Sequence, residues 1–170
     1  VHCQLKQLSI VHCQLSIVHC QLSIEKNLSE RIILMLFDTH AHMDDRAFDV
    51  DREELLSRGL PDAHVGLLMN PGCSLASSRA ASKLSQAYSY IYAAVGSHPD
   101  VADEVDEATL DAYRALCREN PKIRAIGEIG LDYHYEDIPR DIQQRAFRLQ
   151  MELAREVQLP VIVHEREAHQ

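Results

Sequence analysis

Residues 123–167, IRAIGEIGLDYHYEDIPRDIQQRAFRLQMELAREVQLPVIVHERE, read as strand, helix, strand. Residues 123–132 are aliphatic with interspersed glycines and suit a buried strand. Pro139 stands where prolines open helices. Ile142, Ala146, Leu149, Leu153 and Val157 then recur at spacings of four, three, four and four, which is one face of a helix. Residues 159–167, LPVIVHERE, form a second buried strand by the same reasoning. Strands joined through a helix of this length run parallel in one sheet. Both strands carry a chemically active group near the carboxyl end, Glu128 in GEIG and His164 in VIVHER.

The alternation extends toward the amino terminus. MLFD (35–38) reads as a first strand, and residues 45–58 as a loop and short helix. AHVGLLMNPG (63–72) is a buried strand closed by a turn, and residues 73–88 are rich in Ala, Ser and Leu and predict a helix. YIYAAVGSHP (90–99) is a strand with a polar tip. Leu110, Tyr113 and Cys117 give residues 106–119 helical spacing, and NP stops the helix. Five strands alternating with helices predict a parallel α/β fold, either an open doubly wound sheet or part of a (β/α)8 barrel. No GxGxxG and no P-loop occurs, which disfavours the nucleotide-binding variants.

The chain has 170 residues, enough for one ordinary domain, and a formal charge of −9. That charge argues against broad attraction to nucleic acid or to an anionic membrane. It leaves room for a phosphate held through a divalent ion, which inverts the local field. Cys3, Cys13 and Cys20 fall inside a repeat, Cys73 and Cys117 lie elsewhere, and no CxxC occurs. A reducing, cytoplasmic setting is the simpler expectation. There is no pattern of a signal peptide, and the apolar runs are too short to span a bilayer, so neither a membrane nor a stable protein partner is expected.

The repeat is VHCQLSI, present unchanged at 11–17 and 18–24, with a third copy at 1–10 carrying an insert. Seven is odd, so successive copies would reverse the buried face of a strand. His12, Cys13, His19 and Cys20 form a His/Cys tract poorly spaced for a tetrahedral metal site. Identical copies show no tuning to distinct positions. Residues 1–34 are therefore expected to be a disordered or non-native extension, and 35–170 the folded domain.

The densest chemistry lies in FDTHAHMDD (37–45). Asp38, His40 and His42 sit at i, i+2 and i+4, so all three point to one side. Two imidazoles so placed can chelate one divalent cation, with Asp38 orienting a ligand histidine from behind. Glu128, between glycines that let backbone pass close to a ligand, could bridge two metals. His164 could supply a further nitrogen. His98, in GSHP, either borders the pocket or is a turn residue before Pro99. His64, His134 and Asp137 read as surface or turn residues. Nothing resembles a cysteine nucleophile with its partners, and Ser97 is not in a GxSxG elbow.

With these residues placed, 35–170 resembles the TatD family of metal-dependent hydrolases, which are amidohydrolase-like TIM barrels. FDTHAHMD, AIGEIGLDYH and LPVIVHEREAH carry the resemblance, with AAVGSHP as a weaker fourth motif. The resemblance implies that His40 and His42 bind one metal, that Glu128 is the catalytic carboxylate shared between two metals, and that His164 binds the second. It implies two divalent ions (Mg²⁺, Mn²⁺ or Zn²⁺) and DNA as substrate, cut by a deoxyribonuclease often working from the 3′ end. Arg166 would face a substrate phosphate, with a surface ion pair as the other reading. Asp38 and His98 would support the site.

A (β/α)8 barrel usually takes about 250 residues, and 35–170 would hold about five of its eight βα units. The family's later His, after the sixth strand, and its late Asp, after the eighth, have no counterpart here. The expectation is an incomplete barrel with weak or no nuclease activity, poorly stable or self-associating. Two other readings remain: a non-enzymatic metal-binding fragment, and an amidohydrolase acting on C–N bonds. A lysine after the fourth strand would favour the amidohydrolase, whereas GEIG favours the TatD type.

Overall fold

The structure is a computed structural model that describes residues 35–135 and 137–169. The repeat, and with it the expectation for residues 1–34, lies outside the described residues. β1 (Leu36–Asp38), β2 (Val65–Pro71), β3 (Ile91–Val95), β4 (Ile123–Asp132) and β5 (Val161–Arg166) form one sheet in that order. All four pairings are parallel. A doubly wound sheet would reverse direction and bury its first strand in the middle. Here β1 is an outer strand and the order is sequential, which is the winding of a (β/α)8 barrel. The sheet forms a curled part-barrel.

Local chemistry sets the element ends. α1 (Arg52–Glu54) and α2 (Leu60–Asp62) are joined by one π-helical turn, Leu55–Gly59. α3 (Leu75–Ala87) starts at Ser74, whose hydroxyl accepts the Ser77 N–H. α4 (Glu107–Glu119) starts at Asp106, which accepts the Thr109 N–H. α5 (Arg140–Glu156) starts directly after Pro139. The polar tip after β3 is a 3-10 turn, Pro99–Glu104.

The main core lies between the sheet and α3, α4 and α5. A smaller cluster of Met43, Leu56, Leu68 and Ile91 sits under the α1–α2 segment. The buried stripe of α5 differs from the apolar one read in the sequence. Its buried residues are Gln143, Ala146, Gln150, Leu153 and Ala154, while Ile142, Leu149 and Val157 flank them half-buried. Two amides therefore occupy the centre of the face. No described helix is long and apolar enough to cross a membrane.

The glycines around Glu128 have a different use from the one expected. A Cβ on Gly127 would stand 2.8 Å from the Ile162 carbonyl oxygen, and one on Gly130 would overlap the His164 carbonyl oxygen. Gly130 also has φ +154°, where side chains are strained. The close approach is between β4 and β5, and it draws the strand of His164 against the strand of Glu128.

Candidate metal centre

Four strand ends converge. His40 and His42 follow β1, His98 follows β3, Glu128 lies on β4 and His164 on β5. His40 Nε2 lies 3.1 Å from Glu128 Oε2 and 3.1 Å from His42 Nε2, and His42 Nε2 lies 3.5 Å from the same oxygen. On the other side of the carboxylate, His164 Nδ1 is 3.1 Å from Glu128 Oε1. The His98 ring packs edge-on against His164, with centroids 4.2 Å apart. The potential ligand atoms of His40, His42 and Glu128 all lie within 4.8 Å of one another, as do those of His98, Glu128 and His164. Glu128 belongs to both groups, and His98 serves as a turn residue and borders the pocket at once: its Nδ1 accepts the Asp100 N–H at 3.3 Å while its ring packs on His164.

Two of the rings are held from behind. His42 Nδ1 donates to the Pro71 carbonyl at 3.1 Å, which orients the ring so that Nε2 faces Glu128. Cys73 Sγ lies 3.6 Å from the same Nδ1. His164 Nε2 meets Asp132 Oδ2 at 3.0 Å. Asp38 grips the His40 backbone, accepting its N–H at 3.1 Å, so it positions the chain rather than the ring.

Asp44 and Asp45 face away from the centre. Asp44 accepts from Asn70 Nδ2 (2.7 Å) and Ser77 Oγ (2.6 Å), and Asp45 caps the short turn after it. Buried Asn70 also accepts the Met43 N–H at 2.7 Å, latching the His42 loop to the end of β2. Arg52 donates to the carbonyls of Met43 and Asp45 from the other side.

A buried carboxylate ringed by three imidazole nitrogens is a donor set that fits a divalent cation. The family profile described as TatD related DNase matches residues 37–170. The chain belongs to the TatD family. It is 41% identical over 134 residues to the uncharacterized metal-dependent hydrolase YabD of Bacillus subtilis, covering 79% of this chain and 52% of that one. It is 36% identical to the 3′-5′ ssDNA/RNA exonuclease TatD of Citrobacter koseri, covering 79% and 51%. The crystal structure of the Escherichia coli TatD homolog YJJV superposes with a TM-score of 0.73 at 34% identity, over 81% of this chain and 53% of that one. A TatD family hydrolase from Entamoeba histolytica, 24% identical, shares the fold with a TM-score of 0.71 over 79% and 50%. The chain spans about half the length of the curated relatives it matches.

Charge at this TatD centre is tightly coupled. Burial works to raise the Glu128 pKa, but hydrogen bonds from His164, His40 and His42 hold it well below the usual carboxylate range. The hydrogen bond to Cys73, then that to Glu128, raises His42 against burial. Burial would lower His164, yet Glu128 and Asp132 raise it on balance. His98 is lowered by burial and then by the neighbouring His164.

The remaining sequence candidates fall outside this cluster. The Arg166 guanidinium stacks over the Tyr135 ring, 4.8 Å from its centroid. No carboxylate among the described residues lies within ion-pair distance of it. His134 pairs with Glu167 at the surface. Ser97 is buried with its hydroxyl on Tyr113, and burial pushes the Cys117 thiol up to about 11, so neither is a nucleophile. Two supporting residues escaped the sequence reading. Asp132 was legible in principle, because i, i+4 on a strand puts it on the same face as Glu128. Asn70, within MNPG, looks like any turn residue.

Proposed function

We propose that this chain carries the metal-binding part of a divalent-metal-dependent phosphodiesterase that trims single-stranded nucleic acid from the 3′ end in the cytoplasm. The observation that supports it most is the Glu128 carboxylate, met by His40 and His42 from the end of β1 and by His164 from β5. The printed activity of the Citrobacter relative supports the substrate class. Two free thiols, Cys73 and Cys117, suit a reducing compartment.

In this reading His40, His42 and Glu128 hold one ion, and Glu128 and His164, with His98 beside them, hold a second. Divalent ions at such a centre supply positive charge to phosphate oxygens and a hydroxide near neutral pH. The chain's own residues prepare for that. Glu128 stays ionised at any physiological pH, the Pro71 carbonyl keeps His42 Nε2 turned inward, and Asp132 keeps His164 Nδ1 turned toward Glu128. Arg166, two residues beyond His164 on β5, is available to a phosphate.

The test is a Mn²⁺ or Zn²⁺ titration of the purified chain, followed by digestion of a labelled single-stranded oligonucleotide with and without EDTA. Saturable binding is expected, with the step held by His40 and His42 lost in His40→Ala/His42→Ala and the other step retained. A chain that binds no divalent ion overturns the reading. Binding without EDTA-sensitive turnover favours the second reading, a metal-binding barrel segment that does not cut by itself, which the half-length match to the relatives supports.

A further inference from the structure

We propose that Gln143 and Gln150 of α5 are positioning residues for the His98–Glu128–His164 side of the centre; this rests on the metal reading above. Seven residues apart, they lie on one face, two turns from each other. Both are buried, with 2% and 1% exposure. Each grips one residue at or just past a strand end through both its N–H and its carbonyl, and Gln143 Nε2 also donates to the Ile138 carbonyl at 3.0 Å. Gln143 Oε1 accepts the Asp132 N–H and its Nε2 donates to the Asp132 carbonyl, both at 2.9 Å. Gln150 Oε1 accepts the Ser97 N–H at 2.7 Å, and its Nε2 donates to the Ser97 carbonyl at 3.0 Å.

A two-point clamp of this kind fixes both the distance and the orientation of the residue it holds, through the peptide groups on either side of its Cα. The two clamped residues are not arbitrary. Asp132 carries the carboxylate on His164 Nε2. Ser97 immediately precedes His98, whose ring leans on His164. One rigid helix thus sets two segments that converge on the same imidazole pair. The His40 and His42 side is anchored separately, by Asp38, Asn70 and the Pro71 carbonyl. The clamps therefore act on one half of the centre and not on the other.

The competing view is that these amides only satisfy buried backbone. Asn120 is the comparison: equally buried, it donates to Ser82 and Ser85 and has no contact with the centre. Gln143→Met, Gln150→Met and Asn120→Leu would be made in the full chain, and Mn²⁺ binding titrated beside thermal unfolding without metal. His164→Ala identifies the binding step that belongs to the clamped side.

Both glutamine variants are expected to weaken that step by about ten- to a hundredfold, as outer-shell partners do, with the other step moved less than twofold. Asn120→Leu is expected to lower the melting temperature with both steps unchanged. If the methionine variants do not fold, Gln143→Glu and Gln150→Glu, which keep the acceptor and lose the donor, are read in the same way. Glutamine variants that lose only stability, as Asn120→Leu does, overturn the proposal, and so does equal weakening of both steps. Absence of any binding in the wild-type chain overturns the metal reading itself, and this one with it.

Discussion

Replacing Glu128 by glutamine removes one charge from the point where both ligand groups meet. In the metal-free protein the carboxylate has two well-made partners, His164 Nδ1 at 3.1 Å and His40 Nε2 at 3.1 Å, with side-chain exposures of 8% and 23%. His42, 35% exposed and 3.5 Å away, is screened by water and adds little. A charge-assisted hydrogen bond contributes about 1.5–3 kcal/mol, and breaking a fully buried ion pair costs about 3–5 kcal/mol. With one partner buried and one partly wet, Glu128→Gln is expected to cost about 3 kcal/mol near pH 6. Urea denaturation in EDTA measures it. The same variant should lose every ion, because Glu128 is common to both groups. His40→Ala should lose only the step it contributes to, and His164→Ala only the other. A Glu128→Gln protein within about 1 kcal/mol of wild type, or one that still binds ions at wild-type affinity, refutes the shared-carboxylate reasoning.

Gly130→Ala should destabilise by about 3 kcal/mol or more, since the methyl meets backbone of β5 and the φ of +154° is left strained; a chevron or urea curve matching wild type would show the strands are not in that register. The pH dependence has opposite signs for folding and for metal binding. Glu128 is depressed, so its contribution is present above the unfolded carboxylate value of about 4.3 and is lost on acidification. His42, raised to about 11, and His164, also raised, contribute fully below about 6.5 and lose that contribution as pH rises. His98, lowered, acts in the opposite sense and does so below about 6.5. Metal-free stability should therefore fall from pH 6.5 to 9 while divalent-ion affinity climbs, as protons leave the ligands; parallel trends in denaturation and calorimetry would contradict the assignment.

Much of this was readable because strand chemistry is local. Period-two spacing placed His40 with His42, and the apolar runs before them fixed which end of the strand they occupy. The same rule would have found Asp132, four residues past Glu128, had the acid been weighed as a partner rather than as the end of a strand. His98 was ambiguous for a physical reason: a histidine before proline has the same signature whether its ring faces solvent or a pocket. Gln143 and Gln150 were invisible because amphipathic patterning counts apolar residues. A buried amide with both ends matched looks, in sequence, like a solvated one. The order of the strands also had to come from the structure, since alternating strand and helix suits two windings equally well.

The contact between His40 and Glu128 joins strands that are not neighbours. β2 and β3 lie between β1 and β4, and three steps of about 4.8 Å would separate their backbones by roughly 14 Å in a flat sheet. The two side chains nevertheless meet at 3.1 Å, because the sheet bends and the loop after β1 leans inward. The affinity for an ion is then a gauge of curvature. Anything that flattens the sheet, from a loosened outer strand to a mild denaturant, should be felt as weaker binding while the helices and strand ladders are still intact. Conversely, an ion held across that gap would act as a tie-rod on the arc, stiffening the two strands, β2 and β3, that it does not touch.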